Sequence, residues 1–308
     1  MSYPKVYIIV LNWNGALDTL ACIKSLMKLK YPYFEIVVVD NGSIDDSVEK
    51  ISKNYPEVKI IEAEKNLGFA LGNNIGIKYA LNKFAEYILI LNNDVLVDEI
   101  FLSNLMRAAT QDKSYSIFAP QIRLYPAKDY LWYAGGRMIL PIASVKMFNR
   151  NKRVKNSRIS KNQKIDFVTG AAMLVRAEAF KKIGGFDKRF FIYWEETDWE
   201  ERAKRANMRM MYVPESILYH KVARSSGGEG NPKMQYYFFR NNLLFAQKNL
   251  KAWMWLTFLP YFLLRLFIYE LVRGIIDFIL LKPNRFVGWL YALRGTFDFV
   301  RRKFGKVV

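Results

Sequence analysis

Early in the chain, short unbroken apolar runs take turns with stretches whose apolar residues recur at helical spacing. Lys5–Leu11 is a continuous apolar run rich in β-branched residues, the pattern of a strand buried on both faces. Asn12-Trp13-Asn14-Gly15 breaks it, and Leu17, Leu20, Ile23, Leu26 and Met27 then mark one face of a helix. A second strand, Phe34–Val39, runs into Asp40-Asn41-Gly42-Ser43, with a helix expected from Asp45 or Asp46. Val58–Ile61 reads as a third strand, Asn66–Gly76 opens a helix reaching about Lys83, and Tyr87–Leu91 is a fourth strand ending in Asn92-Asn93-Asp94. This alternation predicts βαβ units and an α/β fold with a doubly wound, mostly parallel sheet of Rossmann-like type. Such sheets bind ligands beyond the carboxyl ends of their strands. Those ends carry Asn12 and Asn14, Asp40–Ser43 and Asn92–Asp94, so polar side chains cluster where the topology wants a pocket.

Further along, the pattern weakens. Phe118–Tyr133 has no clean periodicity, and Ala134-Gly135-Gly136 marks a turn. Phe148–Lys164 carries many Lys and Arg and no acid, which reads as a solvated loop near an anionic ligand or lipid headgroup. Asp166–Val175 regains strand character, Ala177–Ile183 reads as a helix stopped by Gly184-Gly185, and Trp199–Ala206 as another. Arg209–Val213 resembles a strand leading to Tyr219-His220-Lys221, and Gly227–Pro232 reads as a linker. These features divide the chain into a nucleotide-binding region, 1–230, and a helical region, 231–308. Within the latter, Ala252–Leu281 is strongly apolar, interrupted by Arg265, Glu270, Arg273 and Asp277. At 100° per residue these four fall in one sector of roughly 140°. A charged strip on an apolar helix suits one lying in a membrane interface better than a clean span, and Pro260 is expected to kink or divide it. A buried helical subdomain or an oligomer interface is the alternative.

Composition sharpens this. Forty-seven Lys and Arg against 28 Asp and Glu give a formal charge of +19, which predicts attraction to something anionic: nucleic acid, phospholipid or a phosphorylated substrate. No recognised nucleic-acid module appears, so nucleic acid is not expected as a partner. The single cysteine, Cys22, excludes an internal disulfide and a cysteine-rich metal site. Val6–Leu11 is short and lacks a basic lead-in, so the N-terminal part is expected to stay in the cytosol. With the helical region, this predicts a cytoplasmic protein peripherally associated with the cytoplasmic face of the membrane.

Three groups of residues bear chemistry. Glu195, Glu196 and Asp198 crowd among aromatics that include Trp194. Acids in a first helical turn favour the macrodipole, whereas a carboxylate in an aromatic-walled cleft has its pKa lifted toward working pH and can serve as general base. Asn92-Asn93-Asp94 places a carboxylate at a strand tip, able to hold a divalent cation with substrate phosphates or to form an Asx turn. Asp40 can accept hydrogen bonds from a ribose or base edge, or close a turn before a Ser43 cap. His220, the only histidine, sits in a polar turn and is either structural or a metal or diphosphate ligand.

Taken in order, Ile8–Asn14, Val38–Ser43, Asn66–Ala70 with Asn73–Gly76, Leu91–Val95, Thr169–Arg176, Gly184–Asp187, Trp194–Asp198 and Tyr219-His220 resemble the motifs of family 2 glycosyltransferases of the GT-A type, in particular their rhamnosyltransferase-like branch. Each is weak singly; eight in family order over residues 5 to 226 are specific. The resemblance implies inverting transfer of a sugar, with rhamnose suggested by the branch, from a nucleotide-diphosphate donor to a glycan or polyprenyl-linked acceptor, with Mg²⁺ or Mn²⁺ as cofactor. It implies a donor site of Asn12, Asn14, Asp40, Asn41, Gly42, Asn66, Gly68, Asn73, Asn92, Asn93 and Trp194, and a metal held by Asp94 and His220. The acid-x-acid motif opens here with Asn92, which leaves metal affinity open. The usual catalytic pair, Glu-Asp or Asp-Asp, is here Glu195-Glu196, so Glu196 takes the place of the base, with Asp198 the alternative. Nucleotidyl transfer would also use such a sheet and a metal, but not a base at Trp194–Asp198. A non-catalytic membrane-binding protein would leave the polar strand ends unexplained.

Overall fold

The structure, a computed structural model, describes residues 3–156, 161–222, 231–280 and 284–307. It opens β1 (Val6–Asn12), α1 (Ala16–Leu26), β2 (Phe34–Asp40), α2 (Ser47–Asn54), β3 (Lys59–Glu62), α3 (Gly68–Asn82) and β4 (Tyr87–Asn92). Val6, Ile8, Ile9 and Val10 are fully buried, as a strand covered on both faces requires. These four strands are parallel, and register sets Asn12 beside Asp40 and Leu11 beside Asn92. The polar residues that end each apolar run therefore form one row along the carboxyl edge of the sheet.

The chain continues through β5 (Val95–Val97), α4 (Phe101–Gln111), β6 (Ile117–Leu124), β7 (Leu131–Tyr133), β8 (Gly136–Ile139), β9 (Ser144–Met147), β10 (Gln163–Ile165), β11 (Ala172–Arg176), α5 (Ala177–Ile183), α6 (Glu195–Arg205) and β12 (Met210–His220). The main sheet has the order β10-β12-β6-β11-β4-β1-β2-β3, with β5 on β12 and β7 on β6. It is mostly parallel, with β11 running antiparallel between β4 and β6. Central strand β6 lies in the stretch without periodicity. Pro120, Gln121 and Arg123 break its apolar run, yet Phe118, Ala119 and Ile122 are fully buried. Gln121 is accommodated by accepting from Arg123 Nε at 2.8 Å, and the pairing with β12 shifts register just past Pro120, where a bulge tolerates the missing donor.

The helical region comprises α7 (Pro232–Asn249), α8 (Trp255–Leu263), a π-helical stretch (Leu264–Glu270), α9 (Leu271–Ile279) and α10 (Asn284–Val300). Part of the basic run and most of the expected Gly227–Pro232 linker lie outside the described residues. Helix α10 packs directly along α7: a Cβ at Gly295 would come within 2.3 Å of the Tyr236 carbonyl oxygen, so glycine alone permits this approach. A second core gathers Leu244, Phe245, Phe258, Phe262 and Leu266 from the helices with Phe190 and Trp194 from the α/β part. The segment before α6 is thereby gripped between the two regions.

Pro260 stays within a continuing helix instead of dividing it. The charged strip also differs from expectation. Asp277 pairs with Arg285 at 3.0 Å, Arg273 donates to the Tyr269 hydroxyl, and Arg265 turns toward Phe238. Arg265, Glu270 and Asp277 are partly covered by the protein and Arg273 is exposed, while Leu256, Phe267, Ile268, Val272 and Ile276 stand exposed outside. By length and composition Ala252–Asp277 is long and apolar enough to cross a membrane.

Candidate active site

A cleft of about 760 Å³ opens over the carboxyl ends of β1, β2 and β4, within the size range of small-molecule sites. Sheet edge residues supply its floor, the loop before β11 (Thr169, Gly170, Ala171) one side, and Phe191–Tyr193 with Glu195 and Glu196 another. Tyr237, Phe238 and Arg265 of the helical region close it, and Lys306 reaches it from the tail.

At the β4 end, β5 pairs antiparallel with β12 so that Val95 faces His220. That register delivers Asp94 to His220, whose Nε2 lies 3.0 Å from Asp94 Oδ1. Both are buried. The histidine ring stands edge-on to Trp132, and its Nδ1 has no hydrogen-bond partner among the described residues. Asn92 and Asn93 line the cleft beside them. No cluster of three or more His, Cys, Asp or Glu converges among the described residues. A carboxylate and an imidazole with a spare buried nitrogen nevertheless fit a hard divalent ion that takes its remaining ligands from substrate phosphates and water.

The row beneath the cleft is a closed network. Asn12 Nδ2 donates to Asp40 Oδ2 at 2.7 Å, while Asn12 Oδ1 accepts from Thr19 Oγ1 at 2.7 Å. Asp40 also accepts from the Ser43 amide at 2.8 Å and its hydroxyl at 2.7 Å. Asn14 Oδ1 accepts from the Ile44 amide at 2.8 Å, and Asn73 Nδ2 donates to the Phe69 carbonyl at 2.9 Å. These side chains and Gly42 do not line the cleft. The cleft lining thus departs from the expected donor site at Asn12, Asn14, Asp40, Gly42 and Asn73: Asn12, Asn14 and Asp40 are engaged in shaping the turns, while Asn73 Oδ1 is buried with no hydrogen-bond partner among the described residues. Asn41 and Asn66 do line it, fixed by their mutual bond of 3.2 Å and by acceptance from the Leu67 and Gly68 amides. Gly68 holds φ +80°, and a Cβ there would come within 2.4 Å of Phe191.

Phe191, Tyr193 and Trp194 all have positive φ (65°, 68° and 74°), a costly conformation for bulky residues that must be imposed by surroundings. Asn241 of α7 imposes it: its Nδ2 donates to the carbonyls of Phe190, Ile192 and Tyr193 at 2.6, 2.8 and 3.0 Å. Fully buried Arg240 adds bonds to Phe190 and to Gly305 of the tail. Trp194, expected in the cleft wall, instead packs on Phe238 and Phe245 behind it. The aromatic wall is made by Phe69, Phe191, Tyr193 and Trp132. Tyr193 belongs to the aromatic cluster that the sequence displays, whereas nothing in the spacing places Trp132 or Arg265 there.

Glu195 is buried and Glu196 half-buried, and both line the cleft, each with one carboxyl oxygen lacking any hydrogen-bond partner among the described residues. Burial pushes both carboxyls up, Glu195 further because the Glu196 charge opposes its ionisation. Each acts on the other: Glu196 holds the Glu195 carboxyl up and Glu195 draws that of Glu196 partly back, which suits a protonated Glu195 beside an ionised Glu196. Asp198 has the opposite surroundings. Fully buried behind the cleft, it meets Lys248 Nζ at 2.7 Å, Arg202 Nε at 3.3 Å and Asn249 Nδ2 at 3.0 Å. That removes it from the reacting space, correcting the expectation that it could serve as base.

A nucleotide-sized cleft over parallel strand ends, with a carboxylate–imidazole pair and a buried acid pair, defines a GT-A glycosyltransferase. The chain belongs to glycosyl transferase family 2, whose sequence profile matches residues 7–184. It is 26% identical over 211 residues to the N-acetylglucosaminyl-diphospho-decaprenol L-rhamnosyltransferase of Mycobacterium tuberculosis, covering 62% of this chain and 68% of that protein. It is 23% identical over 252 residues to the dTDP-rhamnosyl transferase RfbF of Shigella flexneri, covering 80% and 81%. In fold it resembles the mannosyltransferase PcManGT from Pyrobaculum calidifontis, solved with GDP-Man and Mn²⁺ (TM-score 0.60, 15% identity, 98% of this chain and 89% of that one). These relatives place it in the rhamnosyltransferase-like branch.

Proposed function

We propose that this enzyme is an inverting glycosyltransferase that moves a sugar, of rhamnose type, from a nucleotide-diphosphate donor to a hydroxyl of a lipid-linked glycan at the cytoplasmic face of the membrane. The observation that carries this reading is the Glu195–Glu196 pair: one carboxyl buried and one half-buried, both facing the cleft, and neither with a cation partner among the described residues. Glu196 accepts the acceptor hydroxyl's proton, the freed oxygen bonds to the anomeric carbon, and the bond from that carbon to the diphosphate breaks with its electron pair leaving on phosphate oxygen. Glu195 keeps its proton and orients Glu196. Asp94 and His220 would hold a divalent cation, which when bound supplies charge stabilisation for the departing diphosphate. Asn41 and Asn66 present fixed amides to the donor. The exposed apolar helix face and the +19 charge support a membrane location, and the first relative's diphospho-decaprenol name supports a lipid-linked acceptor.

The test is nucleotide release from a panel of sugar nucleotides with membrane lipid extract and Mg²⁺ or Mn²⁺, for wild type and Glu196→Gln. Losing the general base should lower turnover by about 10²–10⁴-fold, with donor binding retained. Because burial raises the Glu196 carboxyl, activity should fall on acidification at a pH above the ordinary glutamate range. Turnover within a few fold of wild type in Glu196→Gln would remove the assignment.

A further inference from the structure

The helix that closes the cleft is irregular where it matters. After Pro260 it widens from Leu264 to Glu270 into a π-helical stretch, a distortion found mostly at functional sites. On a regular helix, residues five apart stand about 140° from each other; here Arg265 Nε and Glu270 Oε1 are 3.9 Å apart. Arg265 is turned inward, its guanidinium 4.5 Å from the centre of the Phe238 ring, and it lines the catalytic cleft. On the same stretch Leu264, Phe267 and Ile268 are 55%, 46% and 56% exposed. The helix thus presents a half-buried cation to the cleft and apolar surface to the outside within one turn.

We propose that Arg265 receives the phosphate or diphosphate of a lipid-linked acceptor, whose hydrocarbon chain lies over Leu264, Phe267 and Ile268. This rests on the transfer reading above and assigns its acceptor end. An arginine serving only to settle the helix on a bilayer would extend outward to the headgroups; this one points away from the apolar face. Among the described residues it donates no hydrogen bond, so its planar fork of donors, suited to phosphate oxygens, is unspent. Lys233 lines the same mouth and adds a second cation. The donor diphosphate has its own place at the β4 end beside Asp94 and His220.

The probes are farnesyl diphosphate, farnesol and inorganic diphosphate, with binding to the full chain measured by calorimetry. Wild type should bind farnesyl diphosphate more tightly than either of the others. Arg265→Met keeps an apolar stem over Phe238 and should weaken farnesyl diphosphate about tenfold or more, leaving farnesol unchanged; Arg265→Lys should fall between. Nucleotide binding by each variant checks that the cleft is intact, and Arg265→Lys carries the test if the methionine variant does not fold. Equal weakening of farnesol and farnesyl diphosphate, or no change in either, would overturn the proposal. So would inorganic diphosphate binding as tightly as the lipid probe, since the site would then serve a soluble phosphate. The readout needs no turnover: a donor panel that fails while this result holds sinks glycosyl transfer and leaves the lipid-phosphate site standing.

Discussion

Two carboxylate neighbourhoods share the first turn of α6. On the cleft side, Glu195 is buried and Glu196 half-buried beside it, with no cation paired to either among the described residues. Behind it, Asp198, about 200° around the helix from Glu196, is held by Lys248, Arg202 and Asn249, and Lys248 also binds Asp187 at 2.6 Å. Burial alone would push the Asp187 carboxyl up, but hydrogen bonds from Arg189 and Lys248 overcome this and hold it below the usual carboxylate range. Each neighbourhood joins a buried acid, Glu195 or Asp198, to a half-buried one, Glu196 or Asp187, so burial does not separate them. The partners do. A carboxylate locked to cations is a weak proton acceptor and a good fastener, whereas one facing another acid in a dry cleft can take a proton near neutral pH. Helix α7, from the region beyond the family-matched residues, supplies the fastening cation and thereby decides which acid is free to react.

The largest effect should come from removing that cation. Lys248→Met leaves Asp198, fully buried, with one cation fewer, and breaking such a buried pair costs about 3 kcal/mol or more. Urea unfolding measures it, and Asp198→Asn added to Lys248→Met should recover part of the loss. A loss under about 1 kcal/mol would mean that the pair is solvated and the contrast between the two sides overstated. Folded Asp198→Asn should keep its turnover within about tenfold, far from the loss expected at the base.

A finer contrast lies inside the cleft. A protonated Glu195 beside Glu196 could donate to it, and a glutamine at 195 could do so through its amide. Glu195→Gln should therefore keep turnover within about tenfold and leave the acidic limb of the pH profile near its place. Glu195→Ala removes the donor that favours an ionised Glu196, so the base stays protonated to higher pH and the limb moves upward. An upward shift as large in Glu195→Gln as in Glu195→Ala would mean that the shared hydrogen bond does not set the titration of Glu196.

What was legible in the sequence follows from how local each feature is. The strands β1, β2 and β4 announce themselves because burial on both faces writes a continuous apolar run, and their polar ends mark the cleft. Strand β6 does not, because Gln121 interrupts its apolar run and is accommodated in part by Tyr212, 91 residues away, a partner that no window of sequence contains. The acid cluster was legible as chemistry, but which acid faces the cleft depends on Lys248, 50 residues further on. The same holds for Asp40 and Asn12. Their types suit a ligand, and only their contact with each other, 28 residues apart, shows them spent on the scaffold. Arg265 was misplaced because a uniform 100° rotation ignores the π-helical stretch that turns it inward.

The smallest effect concerns Glu200, one turn beyond Glu196 and, unlike it, fully buried. Its Oε1 accepts from the Val168 amide at 2.7 Å, while Oε2 has no hydrogen-bond partner among the described residues. Burial pushes its carboxyl well up, against a smaller opposing pull from Lys204. A group whose folded pKa is raised contributes stability that is complete below its unfolded value, about 4.3 for glutamate, and that is lost as pH rises through the folded value. Ionising the buried carboxyl thus destabilises the fold, by up to about 1.4 kcal/mol per pH unit within that window. Glu200→Gln keeps the acceptor for Val168 and cannot ionise. Its stability relative to wild type, read from urea midpoints, should therefore climb from pH 5 to pH 8, whereas a flat difference would mean that Glu200 is already ionised in the folded protein at pH 5, as a solvated glutamate is. Glu195 and Glu196 titrate in both proteins and largely cancel in that difference, so the slope isolates an acid that shares the helix with the base yet is fully buried and faces a backbone amide instead of the cleft.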